Sequence, residues 1–382
     1  MKEWLCSCLI IFLFFASGCE VLEINNTAIP LGLGFDVEGA KMVVSTELAN
    51  PIAPEKSGSP GESQFMVISA KGDTVTDAAR RIMLSLPRVP LWSHASVLVL
   101  GEKLASKDLS LAVDFLFRSR YVRKNIPVFV TRNATPDEVF QVKPILEAHP
   151  SIALKGILTL QQKQMGIYQP VDLKEFEQKL AAPGVEAAAP MFIIAEENGQ
   201  KVVKIDGTAV FKGKKMAGYL NETESRGFRL MKPGMIEGGL ILVKSPLDPS
   251  RWITLELSRS QATIKPEIKN NKIVIKIDLK AEGNFYEQSG TGNLFTREMT
   301  KKLETLAGQE MERDIRACIS KAQLLNSDIF GWGSMINSGN PRLWEEIGPE
   351  WDAYFPAIES QIKVEYSLRR SYLTSKSFIF RE

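Results

Sequence analysis

Cys19 is the residue whose surroundings point most directly to a chemical reaction. It follows an uninterrupted apolar run, Leu9–Phe15, and then the small residues Ala16, Ser17 and Gly18. An apolar run followed by small residues is the pattern of a secretory signal, and this run is too short to cross a bilayer. A cysteine directly after Ser-Gly resembles a lipobox, in which the thiol receives a diacylglyceryl group and the signal is cut before it.

This pattern predicts where the chain is found. Residues 1–18 are predicted to be a lipoprotein signal peptide that is removed, and Cys19 is predicted to carry a lipid that incorporates palmitate. The folded chain is then expected on the extracytoplasmic face of a membrane. Ala16 stands where lipoboxes most often have Leu, so an ordinary cleaved signal with a chance cysteine stays open as the alternative.

The residue types that most often carry catalysis or bind metals do not occur here at the spacings of known catalytic or metal-binding motifs. His94 and His149 are the two histidines of the chain. Neither has a second ligand at metal-binding spacing, so structural or surface roles are predicted for both. The sequence contains no Gly-x-Ser-x-Gly elbow and no phosphate-binding glycine-rich loop. We therefore predict no enzymatic activity, no metal and no cofactor.

Charge and cysteine content narrow the function further. The formal net charge is +2, and removing residues 1–18 takes away one lysine and one glutamate and so leaves it unchanged. A nearly neutral chain lacks the concentrated basic surface that nucleic-acid binding needs, so no nucleic-acid partner is predicted. Once Cys6 and Cys8 leave with the signal and Cys19 carries lipid, Cys318 is the remaining thiol. Its helical neighbours predict a small buried residue rather than a nucleophile.

The elements that position these residues divide the chain into three predicted domains. Residues 19–190 alternate between strand and helix patterns, such as the apolar strand Phe65–Ala70 and the following helix, which Thr74 caps. A linker rich in Ala and Pro closes this N-terminal α/β domain. Residues 191–245 are predicted to form a small β-rich middle domain, because Asn-Gly and Asp-Gly turn signals separate short apolar runs.

Residues 246–382 are predicted to form a C-terminal antiparallel sheet that carries one long helix. Apolar and polar residues alternate in Ile253–Leu257 and Ile273–Ile277, as in antiparallel strands. A stripe of apolar residues from Leu303 to Leu325 predicts the longest helix of the chain. The predicted fold class is therefore α+β: three mixed α/β domains with largely antiparallel sheets, the last with one long helix packed on its sheet.

Two segments have unusual motifs. Gly207–Leu220 reads Gly-Thr-Ala-Val-Phe-Lys-Gly-Lys-Lys-Met-Ala-Gly-Tyr-Leu, and Glu224–Gly227 follows it as Glu-Ser-Arg-Gly. Asp328–Gly333 reads Asp-Ile-Phe-Gly-Trp-Gly, and this second motif continues with Pro341, Trp344, Trp351 and Phe355. Asp328, its first residue, is predicted to cap the turn that leaves the long helix.

The aromatic residues of the second motif have two open interpretations. Gly331 and Gly333 let the backbone pass close to Trp332. Trp344 and Trp351 are seven residues apart, which predicts that they share one helical face. Either these rings belong to the core, or Trp332 or Trp351 stays partly exposed as an anchor for a membrane-embedded partner, since Trp is frequent among interface hot spots.

These motifs, in this order, resemble those of the Ger(x)C family, the lipoprotein C subunits of the nutrient germinant receptors of spore-forming bacilli. The N-terminus fits as well, because Gly18-Cys19, Ala28-Ile29 and Gly32–Asp36 resemble the lipobox and opening of that family. The resemblance spans nearly the whole chain.

The resemblance implies a lipid-anchored, non-enzymatic subunit of a spore germinant receptor that is required for germination. It implies a scaffold in the spore inner membrane beside two integral-membrane subunits, one channel-like and one transporter-like, with no small-molecule ligand of its own. The alternative is a lipoprotein substrate-binding module that captures a small nutrient for a membrane transporter. Such modules have two similar α/β lobes around a cleft. A third possibility, an envelope hydrolase, finds no nucleophile–base pair to support it.

Overall fold

The computed structural model describes residues 26–50, 64–269, 272–290 and 292–371. The predicted signal peptide and the predicted lipid attachment at Cys19 lie outside these ranges. Within them, none of the helices is both long and apolar enough to pass through a membrane.

The described strands form two large sheets and one small one. Their bounds, in chain order, are β1 (Thr27–Ala28), β2 (Pro30–Glu38), β3 (Lys41–Ala49), β4 (Phe65–Gly72), β5 (Val89–Pro90), β6 (Val97–Leu100), β7 (Val128–Thr131), β8 (Ala188–Glu197), β9 (Gln200–Lys212), β10 (Lys215–Leu220), β11 (Gly234–Glu237), β12 (Leu240–Lys244), β13 (Trp252–Lys269), β14 (Lys272–Gln288) and β15 (Glu359–Ser371).

Helices connect and cover these strands. Their bounds are α1 (Val75–Ile82), α2 (Glu102–Lys107), α3 (Ser110–Arg118), α4 (Pro136–Gln141), α5 (Pro150–Gln164), α6 (Leu173–Ala181), α7 (Glu222–Leu230), α8 (Arg297–Leu324), α9 (Trp332–Gly339), α10 (Pro341–Ile347) and α11 (Trp351–Tyr354). Short 3₁₀ turns occur at Trp92–His94, Gly348–Glu350 and Phe355–Ala357.

The larger sheet has eight strands in the order β10-β9-β8-β7-β6-β2-β3-β4. Strands β2, β6, β7 and β8 at its centre are parallel, and both edges are antiparallel. Alternate residues of β6 point to opposite faces: Leu98 and Leu100 meet α1, α2, α3 and α6, whereas Val97 and Val99 meet α4 and α5. A sheet with a parallel centre needs this cover on both faces.

The second sheet has five strands, β11-β13-β14-β15 with β12 also paired to β13, and α8 packs against it. Thr296 caps the helix by accepting a hydrogen bond from the N–H of Met299. Its buried stripe includes Leu303, Ile315 and Cys318. The predictions of an α+β fold, of the long helix and of a buried Cys318 are confirmed, and burial raises the pKa of the Cys318 thiol.

The predicted middle domain, residues 191–245, has no sheet of its own. β8, β9 and β10 extend the larger sheet, since Met191 of β8 pairs with Val130 of β7. β11 and β12 instead pair with β13 in the second sheet. The predicted boundary at residue 190 also falls inside β8. The physical reason is that an open strand edge favours pairing with another strand, and local turn signals do not specify which edge a hairpin joins.

Candidate functional site

The carboxylate of Asp328 is the centre of the second sequence motif. Its Oδ1 accepts hydrogen bonds from the backbone N–H groups of Gly331 (2.9 Å) and Trp332 (3.1 Å). Its Oδ2 accepts one from the N–H of Gly333 (2.8 Å) and one from the indole Nε1–H of Trp351 (3.2 Å). Asp328 therefore caps the turn after α8, as predicted, and also fixes α11 against the start of α9.

Gly331 and Gly333 allow this turn to form. Gly331 has φ +75°, in the left-handed region that favours glycine. A Cβ on Gly333 would lie 2.8 Å from the Cα of Gly184. The backbone at Gly333 therefore makes its close approach to Gly184, rather than only to its neighbour Trp332.

Trp332 and Trp351 belong to the core. Trp332 is fully buried and stacks on Phe330 with the ring centroids 4.8 Å apart. Trp351 is 6% exposed and packs against Phe355 at 6.3 Å. The interpretation in which one of these two tryptophans is an exposed anchor is therefore wrong.

Trp344 and Trp351 do not share one continuous helix. The shared helical face predicted from their seven-residue spacing is therefore wrong. α10 ends at Ile347, and the 3₁₀ turn Gly348–Glu350 separates it from α11. Pro349 lies in this turn and has no N–H to continue the helical hydrogen bonds. The two rings nevertheless meet, with centroids 5.4 Å apart.

The Asp328 turn connects the two sheets. The Ser327 hydroxyl donates to the carbonyl oxygen of Phe211 in β9. The N–H of Glu186 donates to the carbonyl oxygen of Asp328 (2.9 Å), and the N–H of Ser334 donates to that of Gly184 (2.9 Å). The segment before β8 is thus bonded to both sides of the turn, which makes the turn a junction between the sheets.

Burial controls the charge at this junction. It raises the pKa of Asp328 to about 6, although the four N–H donors act in the opposite direction. In the middle of α8, Asp314 forms an ion pair with Arg226 of α7, at 2.7 Å. Burial raises the pKa of Asp314, and the charge of Arg226 opposes that shift.

The first sequence motif forms a hairpin and a helix at the same junction. Gly207–Leu220 makes up the end of β9 and β10, and Gly213 takes the positive φ that the tight turn needs. Asn221 then caps α7 in a capping box with Glu224. Gly227 faces α8, where a Cβ would lie 2.1 Å from the carbonyl oxygen of Asp314. The motif glycine therefore allows α7 to pack closely on α8.

Replacing Gly227 by alanine is expected to lower the free energy of unfolding by about 1–3 kcal/mol, because the added methyl group pushes α7 away from α8. Gly156→Ala in α5 is the matched control, since its Cβ would meet no atom within 4 Å. Helix propensity predicts unchanged or slightly higher stability there. Urea unfolding measures both, and equal values for the two variants would contradict the close α7–α8 packing.

Arg229 is a buried residue that the sequence did not identify, and it forms a second connection, away from the Asp328 turn. Its guanidinium donates to the carbonyl oxygens of Gln162 (3.1 Å), Glu237 (2.6 Å) and Gly238 (3.2 Å). These contacts connect the end of α5 to the segment before β12. Burial lowers the pKa of Arg229 to about 10. Its position two residues after the Glu-Ser-Arg-Gly motif was the feature of the sequence that could have identified it.

The two histidines occupy different positions. His94 is exposed at the end of a 3₁₀ turn. His149 precedes α5, with its Nδ1 3.2 Å from Oε1 of the buried Glu47, whose pKa is raised by burial. In the part of the chain that the structure describes, no group of three or more His, Cys, Asp or Glu side chains could hold a metal ion.

The geometry defines a class: an α+β protein built on two unlike sheets that a buried aspartate turn connects. Two family models match the chain, "Spore germination protein N-terminal domain" over residues 20–194 and "Spore germination B3/GerAC like, C-terminal" over residues 206–372. The chain belongs to the Ger(x)C family of spore germination proteins.

Individual relatives agree with this assignment. Spore germination protein B3 of Bacillus subtilis (strain 168) is 24% identical over 359 residues, which cover 92% of this chain and 93% of the relative. Spore germination protein KC of the same strain is 22% identical over 384 residues, covering 93% and 92%. The crystal structure of the GerBC protein has the same fold, with a TM-score of 0.58 at 19% identity over 88% of this chain and 96% of that one.

Proposed function

We propose that this protein is the lipid-anchored, non-enzymatic C subunit of a spore nutrient germinant receptor. In this role it is required for germination and acts as a scaffold for two integral-membrane subunits, one channel-like and one transporter-like, on the extracytoplasmic face of the spore inner membrane. The observation that carries the proposal is the match of the two spore germination family models, in order, across nearly the whole chain.

A lipid on Cys19 gives the scaffold a physical mechanism. It confines the chain to the membrane, so that weak contacts with membrane subunits become effectively intramolecular. Thr27, where β1 begins, follows Cys19 by eight residues. Eight extended residues reach at most about 29 Å. β1 of the small sheet is therefore held close to the lipid headgroups, and the larger sheet, whose β2 begins three residues later, lies within reach of the membrane subunits.

The substrate-binding alternative fits this fold less well. Such a module has two similar α/β lobes, whereas the two large sheets of the described residues differ in strand number, order and pairing. The buried polar centre at Asp328 is filled by the protein's own N–H groups, which favours a structural role for it.

Cys19→Ala is expected to abolish metabolic labelling by palmitate and to release the protein from membranes, since two or more acyl chains anchor far more firmly than one. Cys318→Ala is the matched control, because that thiol is fully buried and the variant should remain labelled. A Cys19→Ala protein that is still labelled and still sediments with membranes would contradict the lipid anchor.

Bacterial strains that produce these two variants also test the proposed role in the receptor. Spores that carry Cys19→Ala should respond poorly to nutrients, and the membrane subunits should no longer co-purify with the protein. A normal nutrient response in spores that lack the whole protein, together with its paralogues, would refute a role in germination.

A further inference from the structure

An apolar groove lies on the outer side of α5. It has a volume of about 750 Å³ and is lined by the segment before α5, the outward face of that helix, and Val202 and Val203 of β9. Four large apolar side chains of this α5 groove are open to solvent, with exposed fractions of 75%, 94%, 40% and 62% for Ile145, Leu146, Ile152 and Leu160. Exposed apolar surface concentrated in this way marks an interaction site.

Helix α5 has more apolar surface than its own fold uses. Its inward face buries Leu154 and Leu158 against the larger sheet. Ile152 and Leu160, eight residues apart, lie on the opposite, solvent-facing side. Gly156 lies between them, and a Cβ added to it would have no other atom within 4 Å. The outer face of α5 is therefore open at this point as well. The outer face is therefore available to a partner outside the chain.

The charges around the groove favour an anionic partner. Lys143, Lys155 and Lys163 line it, against one acidic lining residue, Glu147. Lysine side chains can lay their apolar stems along such a surface while the ammonium groups reach outward. Segments that lie in a membrane interface have this composition, with lysines beside exposed Leu and Ile.

The groove is also close to the point where the chain enters the larger sheet. The N–H of Ser151, at the start of α5, donates to Oε2 of Glu47 at 2.6 Å. Glu47 of β3 pairs with Gly32 near the start of β2, and a Cβ on Gly32 would overlap the Ser151 hydroxyl. The short stretch of chain that follows Cys19 therefore leads to the end of the sheet from which α5 starts.

We propose that the α5 groove docks on an anionic phospholipid bilayer. Ile145, Leu146, Ile152 and Leu160 enter the boundary between headgroups and acyl chains, and the three lysines contact lipid phosphates. The inference rests on the proposed attachment at Cys19, to which it adds a second contact that fixes how the anchored protein faces the membrane. A lipid anchor alone leaves the protein free to rotate about its tether.

The test uses a tether that does not depend on acylation in the cell. Residues 1–18 are replaced by a hexahistidine tag, Cys19→Ser is introduced, and the chain is bound to vesicles containing nickel-chelating lipid. Leu146→Cys carries an environment-sensitive nitrobenzoxadiazole label, and Cys318 is too buried to compete for it. Leu84→Cys is the matched control, since Leu84 is 83% exposed and follows α1 on the opposite face of the sheet.

On vesicles of equal parts phosphatidylglycerol and phosphatidylcholine, we expect the label at residue 146 to shift to the blue and to be quenched by a lipid-borne quencher. The label at residue 84 should do neither. Lys143, Lys155 and Lys163 are also replaced by glutamine. Each charge removed should reduce about fivefold the ratio of tethered protein with an inserted groove to tethered protein whose groove stays in water. Pure phosphatidylcholine should give the same loss as the triple variant.

Two results would overturn the proposal. One is a label at residue 146 that stays as exposed to water as the label at residue 84 on the anionic vesicles. The other is a blue shift that needs no vesicles and grows with protein concentration, which would assign the groove to a second copy of the chain. Failure of the lipid anchor itself is detected separately, by the palmitate labelling of the Cys19→Ala strain.

Discussion

Replacing Trp351 by alanine is expected to lower the free energy of unfolding by about 3–5 kcal/mol, and to deplete the protein from membranes through misfolding. The side chain is nearly fully buried, packs against Phe355 and donates its indole N–H to Asp328. Its removal leaves a cavity and takes one donor from a buried carboxylate. Thermal melting of the purified protein measures the loss.

Two further variants separate packing from hydrogen bonding. Trp351→Phe keeps most of the ring and removes the N–H, so about 1–2 kcal/mol of the loss should remain. Trp344→Ala, at a half-buried ring beside it, should cost less than Trp351→Ala. Co-purification with the proposed membrane subunits is measured in parallel. An unchanged melting temperature with lost co-purification would show a partner surface at Trp351 and contradict the core assignment.

Asp328→Asn is expected to destabilise the protein by about 1–3 kcal/mol near pH 7. The amide preserves the shape of the side chain but replaces one acceptor oxygen by an NH₂ group. Whichever way the amide turns, that group faces two N–H donors that are already in place. At least two buried donors therefore lose their acceptor.

The same variant tests the pKa of Asp328. Burial raises this pKa in the folded chain to about 6, from 3.8. A raised folded-state pKa means that the contribution of Asp328 to stability is fully present below about pH 4 and is lost as the pH rises through about 6. Two pKa units correspond to about 3 kcal/mol.

Urea unfolding from pH 4 to pH 7 measures this effect. Asn does not titrate, so the stability difference between wild type and Asp328→Asn should be larger at pH 4 than at pH 7. Burial also raises the pKa of Glu47, Glu186 and Asp314, but these carboxyls titrate in both proteins, so the difference isolates Asp328. Parallel pH curves for the two proteins would contradict the raised pKa.

Features that depend on neighbouring residues could be predicted from the sequence. The stripe through Leu303 and Cys318 predicts the long helix, because a helix repeats its buried face every three to four residues. Asp328 followed by Gly331 and Gly333 predicts a capped turn, because short polar side chains bond to N–H groups a few residues ahead. The capping by Thr74 was predicted on the same grounds and is confirmed.

Features that depend on distant residues could not be predicted in this way. Arg226 and Asp314 are 88 residues apart in the chain, and nothing in either segment identifies the other. The burial of Trp332 and Trp351 depends on Phe330, Phe355 and the second sheet, so the local pattern left their exposure open. The pairing of β8 with β7 likewise depends on which strand edge is free after the earlier elements have packed.

The parallel pairing of β15 with β14 has a consequence for how the protein is made. β14 forms a long hairpin with β13, whereas its other edge stays unpaired until Glu359–Ser371 joins it. All of α8 and the Asp328 turn must be synthesised in that interval. An unpaired edge of this length is a template for another chain. The pairing of the last strand with β14 is therefore the folding step that ends the period of greatest aggregation risk.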